Sequence, residues 1–197
     1  MNYMKLERLA KIVEALKTTP RTGWLLRGVY PAIAETIAAH MYESAVLALM
    51  LGEELRSCGI EVDPQHAAAV AIVHDAAEAI VGDIVKYTAE AMGKELKERI
   101  EVEAARKEIP SVLLLKLLEE YVAQNTMESE LVKIAEMLST LIQSLRYIQH
   151  GFSSVSEIAC STAQGIDKIL NGDIRLACLR KTLQRYIDMG LRYCSKK

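Results

Sequence analysis

Aromatic residues are scarce in this 197-residue chain: 5% in all, with one Trp, one Phe and eight Tyr. So few rings leave little from which to build the stacking platforms of single-strand nucleic acid binders. An excess of one charge is also lacking, since 24 Lys and Arg oppose 26 Asp and Glu for a formal net charge of -2. Phosphate-backbone binding requires a dense basic surface, so nucleic acid is not expected as a partner. No stretch approaches the ~18–20 continuous apolar residues of a membrane helix; the best run, Ser44 to Leu51, is too short. The start, Met1-Asn2-Tyr3-Met4-Lys5-Leu6-Glu7-Arg8, carries charges where a secretory leader has its apolar core. No membrane partner is therefore expected, and the protein is read as cytoplasmic. Cys58, Cys160, Cys178 and Cys194 include no Cys-x-x-Cys pair, which argues against a zinc knuckle or a dithiol redox motif. They are read as four reduced thiols, with Cys178 and Cys194 on one helix and too far apart to bridge.

Strand signals are nearly absent as well, and four prolines and ten glycines leave long stretches that follow the helical period. Leu6, Leu9, Ala10, Val13 and Leu16 form one stripe, which ends before Thr18-Thr19-Pro20. The loop from Arg21 to Pro31 holds the only Trp. Helices are then expected over about 34–56, 67–81, 89–108, 113–122, 128–150, 153–170 and 174–193. Asp63 is placed to cap the helix that begins at Pro64. A hydrophobic content of 51% supports a full core. The expected class is all-α, one domain of roughly seven to nine helices.

The segment from Ala67 to Val81 is apolar on almost every face, yet His74, Asp75 and Glu78 interrupt it, and Asp83 follows Gly82. Buried ionisable groups are costly unless paired or bound to metal. On a continuous helix His74 and Asp75 would share an edge, with Glu78 one turn on over the same patch. Imidazole and carboxylate side by side suit a divalent transition ion. Two further ligands are needed, and the candidates are His40, in Ile37-Ala38-Ala39-His40-Met41, and Glu136, between Ile134-Ala135 and Met137-Leu138. A helical bundle builds metal sites in this way, from inward side chains on facing helices. His66 lies about two turns, ~12 Å, before His74 and is not expected to share its ion. His150 stands at a helix end beside Gly151, where a cation suits the dipole.

His40, then His74-Asp75, then a carboxylate some sixty residues later resembles the pattern of the HD-domain phosphohydrolases. Within that group the stretch His74-Asp75-Ala76-Ala77-Glu78-Ala79-Ile80-Val81-Gly82-Asp83-Ile84 is similar to that of the 5'-deoxynucleotidases. So are Arg21-Thr22-Gly23-Trp24-Leu25-Leu26-Arg27-Gly28-Val29 and Glu35-Thr36-Ile37-Ala38-Ala39-His40. The likeness runs from Arg21 to about Tyr147. Two positions depart from the pattern: Ala39 stands where relatives have Glu, and Lys133-Ile134-Ala135-Glu136 ends in Glu rather than Asp. The extra methylene of Glu sets its oxygen further from the helix.

The resemblance implies an all-helical fold and one divalent metal ion, of the Mn, Co, Ni, Fe, Zn or Mg class, held by His40, His74, Asp75 and Glu136. It implies hydrolysis of nucleoside 5'-monophosphates, in particular deoxynucleotides, by a metal-activated water, with Glu78 and Asp83 as the proton-handling carboxylates. A phosphate also needs a cation beside the metal, and Arg21 is favoured over Arg27 because both flank the Trp24 loop and guanidinium fits phosphate bidentately. Lys86 is a further phosphate candidate, and Trp24 either meets the substrate or pins its loop. A homodimer is implied too. A nucleotide-binding scaffold without turnover is the alternative raised by Ala39 and Glu136, and a di-iron oxygenase of the same fold is the second. The basic tail, Arg180, Lys181, Arg185, Arg192, Lys196 and Lys197, reads as a solvated helix end.

Overall fold

The computed structural model describes residues 3–194. Met1 and Asn2 of the leader reading, and Lys196 and Lys197 of the basic tail, lie outside the described residues. Eleven α-helices follow one another: α1 (Tyr3–Thr18), α2 (Thr22–Leu25), α3 (Ile37–Ser57), α4 (Pro64–Ala71), α5 (Glu78–Val81), α6 (Lys86–Met92), α7 (Lys94–Glu108), α8 (Val112–Ala123), α9 (Met127–Gln149), α10 (Ser156–Gly172) and α11 (Arg180–Leu191). Short 3₁₀ turns cover Ser153–Val155 and Ala177–Leu179. Among the described residues no ladder forms, and the only extended pairing is an isolated antiparallel bridge between Pro20 and Thr36. The all-α expectation stands.

The central element is α9. Leu131, Ile134, Ala135, Leu138, Leu141 and Leu145 repeat at three- and four-residue intervals and are all buried. That stripe packs against α3, α4 and α10. Thr126 and Ser129 exchange hydrogen bonds in a capping box that fixes its start. Asp63 caps α4 as expected, its carboxylate accepting from the N–H groups of Gln65 and His66, with Pro64 in the first turn. Gly52 lets α3 approach α4 closely: a Cβ there would stand 2.9 Å from Cβ of Pro64. These contacts pack α3, α4 and α9 on one another, and the candidate ligands sit in the first turn of α3, in the turn after α4 and in the middle of α9.

Three expectations require correction. The second helix starts at Ile37 rather than near Ala34, capped by the Thr36 hydroxyl. The charged helix breaks at Gly93, whose φ of 86° suits glycine, into α6 and α7. The expected helix over 67–81 ends at Ala71, runs through tight i→i+3 turns over 72–77, and resumes as α5. Its cause is local: Nδ1 of His74 donates to the Ala71 carbonyl at 2.7 Å, the acceptor a continuous helix would give to the N–H of Asp75. These breaks raise the count above seven to nine.

The cysteine reading is overturned. Cys58, at the C-terminus of α3, is bonded to Cys178 in the 3₁₀ turn, and Cys160 of α10 is bonded to Cys194 beyond α11. Cys178 and Cys194 therefore do not share a helix. The partners are 120 and 34 residues apart in sequence, and it is the packing of α10 on α11 and of the 3₁₀ turn on α3 that brings them together. Among the described residues no helix is long and apolar enough to cross a membrane.

Because the Cys58–Cys178 bond closes a 120-residue interval, removing it frees a large part of the unfolded chain. The double variant Cys58→Ser/Cys178→Ser is expected to lose about 2–5 kcal/mol of stability in denaturant titration. Alkylation of the denatured, unreduced protein should label none of the four cysteines; four labelled thiols would contradict the pairing.

Candidate metal centre

One helix and one turn deliver three donors to one point. His40 comes from α3, while His74 and Asp75 come from the turn after α4. One donor atom from each lies within 4.8 Å of the others. Nε2 of His74 is 3.2 Å from Oδ2 of Asp75, and Nε2 of His40 is 3.8 Å from the same oxygen. Atoms bound to one ion at about 2.1 Å stand about 3–4 Å apart, so the spacing matches a shared cation. The break at residues 72–77 produces this geometry by turning both side chains of the His74-Asp75 pair inward.

Each ring has one nitrogen engaged by the protein. His74 commits Nδ1 to the Ala71 carbonyl. Nδ1 of His40 is 3.2 Å from Oγ of Ser139 and 3.3 Å from Nη1 of Arg21, and Ser139 in turn donates to Oε2 of Glu43 at 2.9 Å. The Nε2 atoms of both rings turn toward the Asp75 carboxylate. They are buried without hydrogen-bond partners, as is Oε2 of Glu78. Native proteins rarely leave such atoms orphaned, and an absent ion is one of the few explanations. Two imidazole nitrogens and a carboxylate oxygen are a donor set that Mn, Fe, Co, Ni or Zn accepts.

Electrostatics separate the roles. Burial above all, then the nearby Arg21 and His74, holds His40 well below the usual histidine range, so it is neutral and able to ligate. Burial also works against a charge on His74, but the adjoining Asp75 carboxylate outweighs it and raises the ring. Asp75 mirrors this: burial alone would raise it, yet His74, His40 and Arg21 hold it below the ordinary carboxylate range. Glu78 is pushed the other way. Burial, then the charges of Asp75 and Asp83, take its carboxyl up to about 10.

The centre opens into a cavity of about 680 Å³, within the range of small-molecule sites. Glu136 lines it, but its Oε1 accepts from Nζ of Lys133 at 2.7 Å, and it falls outside the tight three-residue group. Asp83 also lines it, its Oδ2 accepting from the backbone N–H of Thr22 at the start of α2. Arg21 lines the cavity and donates to Oγ1 of Thr140 at 3.0 Å. Arg27 is not among the lining residues; it pairs with Glu157 at 2.8 Å. Lys86 is at the rim, exposed and 3.8 Å from Glu90. Trp24 borders the cavity although only 2% exposed, edge-on to Tyr147 and bonded through Nε1 to Glu35. The other histidines are engaged elsewhere, His66 with Glu120 and His150 with the Arg146 carbonyl.

An HD domain family profile matches residues 13–174. The chain belongs to the HD domain family. Among its relatives, the 5'-deoxynucleotidase HDDC2 of Homo sapiens is 33% identical over 162 residues, covering 78% of this chain and 74% of that protein. The 5'-deoxynucleotidase hdd1 of Schizosaccharomyces pombe is 35% identical over 142 residues, covering 67% of each. A solved structure of a conserved hypothetical protein from Pyrococcus furiosus superposes with a TM-score of 0.76 at 32% identity, over 95% of this chain and 99% of that one. Membership in the HD family implies a divalent metal, and the His40, His74 and Asp75 group is the place able to hold it.

Sequence reading missed several residues of this HD site. Ser139 lies three positions after Glu136 and Glu43 three after His40, so both share a helix face with a named candidate; that offset was the available signal. Tyr121 of α8 stands edge-on to His74 with ring centroids 5.1 Å apart, its phenol held well above the usual range mainly by burial. Lys97 and Glu101 of α7 form a 2.6 Å pair on the cavity wall. No pattern in the sequence pointed to either.

Two measurements follow from this network. Ser139→Ala removes the hydroxyl that orients His40, and metal affinity by competition with a chelating dye should fall about tenfold or more. The second concerns pH. Glu78 holds its proton more tightly folded than unfolded, so the fold loses stability as pH rises above the ordinary value of 4.5 until about 10 is passed. From about pH 7 to 9 the thermal midpoint of the metal-free protein should fall, and Glu78→Gln should flatten that decline. An equally steep decline in the variant contradicts the assignment.

Proposed function

We propose that this HD protein is a metal-dependent phosphohydrolase that cleaves the phosphate monoester of deoxynucleoside 5'-monophosphates. The observation that carries the reading is the His40, His74 and Asp75 group, whose two Nε2 atoms are buried without hydrogen-bond partners, beside a cavity lined by His74, Asp75, Glu78 and Arg21. The relatives named 5'-deoxynucleotidases support the substrate class.

His40, His74 and Asp75 would hold the ion, with Glu136 as the fourth ligand once it exchanges Lys133 for the metal. When bound, a divalent cation supplies Lewis acidity toward phosphoryl oxygens and lowers the pKa of water. The reaction forms a bond between a water oxygen and phosphorus and breaks the bond to the nucleoside 5' oxygen. That oxygen leaves with a proton that Glu78 would donate, its surroundings favouring the protonated form, and the proton released by the attacking water would return to the Glu78 carboxylate. Arg21 balances charge on the phosphate. Asp83 anchors the loop that carries Arg21 through its bond to Thr22, and Trp24 closes that side. Lys86 serves at the rim. Arg27, bound to Glu157, would have to leave its partner to reach substrate.

The reading includes a homodimer, implied by the family resemblance, and a cytoplasmic location, read from the composition and the cysteine usage. Two disulfides narrow the second point, because intracellular proteins keep such bonds chiefly in hyperthermophiles.

Phosphate release from a panel of ribo- and deoxynucleoside 5'-monophosphates, with Mn, Co, Ni, Mg or Zn supplied, tests the proposal. Turnover of deoxynucleotides is expected with at least one ion. Asp75→Ala should lose metal and activity together, whereas Glu78→Ala should keep the metal and lose about 10²–10⁴ in kcat. Metal uptake without turnover of any nucleotide would favour the scaffold alternative.

A further inference from the structure

Behind the Arg21 side of the cavity lies a carboxylate that does not line it. Glu35, in the segment just before α3, has its side chain 7% exposed. Its Oε2 accepts from Nε1 of Trp24 at 3.1 Å and lies 3.7 Å from Nη1 of Arg21. The main chain is stitched at the same place: N–H of Arg21 donates to the Glu35 carbonyl at 2.9 Å, and N–H of Glu35 donates to the Tyr147 hydroxyl at 2.7 Å. That hydroxyl passes its own proton to the Ile33 carbonyl. The guanidinium lies 5.8 Å from the centre of the Trp24 ring. The contacts of Arg21 with Thr140, His40 and Glu35 all use Nη1. Among the described residues, Nε and Nη2 have no such partner, and Arg21 lines the cavity.

We propose that Glu35 is a positioning residue: its carboxylate holds the Arg21 guanidinium and the Trp24 indole in one rigid arrangement, so that the uncommitted edge of Arg21 faces the phosphoryl group of the substrate. This rests on the reading of Arg21 as the phosphate-binding cation. A long, flexible cation on a loop is a poor anion site, because ordering it at each binding event costs side-chain entropy. An arginine ordered in advance by a buried carboxylate avoids that cost. Burial takes the Glu35 carboxyl up to about 7 against the opposing effects of Arg21 and the Trp24 hydrogen bond, and Glu43 and Arg146 are the other charges that face it. At a pH of about 8 it is ionised, and the comparison belongs there.

Trp24 is the only tryptophan of the chain, so its indole N–H gives a single resonance that reports the clamp without reference to turnover. Inorganic phosphate is titrated into the magnesium-supplied protein while that resonance is followed, and KM and kcat for a deoxynucleoside monophosphate are measured in parallel. In Glu35→Gln the amide oxygen still accepts from the indole, but the charge opposite Arg21 is gone. The resonance should persist, phosphate affinity should fall about tenfold, and KM should rise by a similar factor with kcat and metal content little changed. Glu35→Asp, which restores the charge at a shorter reach, should recover part of the loss. Unchanged phosphate affinity in Glu35→Gln overturns the proposal, as does a loss of affinity matched by a loss of metal. If phosphate shifts the resonance in this pattern while no nucleotide is turned over, the deoxynucleotidase reading fails and the role of Glu35 stands. If nucleotides are turned over but phosphate leaves the resonance unmoved, the role of Glu35 fails and the hydrolase reading stands.

Discussion

The Nε2 atoms of His40 and His74 converge on one carboxylate oxygen of Asp75, at 3.8 and 3.2 Å. Around that cluster the fold is organised. His40 is held by Ser139 and Glu43, and His74 by the carbonyl of Ala71, so each ring spends one nitrogen on the protein and leaves the other for a cation. Leaving polar atoms buried and unpaired costs free energy, as does keeping the Glu78 carboxyl among other acids. Binding an ion recovers that cost, which couples metal affinity to the stability of the surrounding helices.

The rest of the molecule supplies rigidity to that cluster. The α9 stripe packs on α3, α4 and α10, and Gly52 permits the close crossing that brings the start of α4 against α3. Two disulfides tie the last third of the chain back to α3 and α10. One wall of the cavity is formed by Arg21 and the short helix α2. That segment is fastened by Asp83 at Thr22 and by Glu35 at Arg21 and Trp24. A phosphate is bound well by groups that are ordered before it arrives, and this arrangement orders them.

Much of this was legible in the sequence, for identifiable reasons. His40, His74, Asp75 and Glu136 stood out because ionisable residues in apolar helical stretches demand a partner, and the helical period placed the elements that carry them. The break at residues 72–77 was not legible, because it depends on a side chain, His74, outcompeting the backbone for one carbonyl. The cysteine pairs escaped notice because spacing rules detect partners near in sequence, while these are joined by packing over 34 and 120 residues. Glu35 carries no periodic signal at all; only its burial between an arginine and an indole reveals its part. Arg21 was favoured over Arg27 among the loop cations, and the structure separates them: Arg21 lines the cavity, whereas Arg27 pairs with Glu157.

The central claim is that one divalent cation sits between α3 and the turn after α4. Anomalous diffraction from crystals grown with manganese tests it most directly. The account predicts a single strong peak per chain, within bonding distance of Nε2 of His40, Nε2 of His74 and a carboxylate oxygen of Asp75. A peak elsewhere in the cavity that leaves both imidazole nitrogens bare, or two peaks per chain, would contradict it.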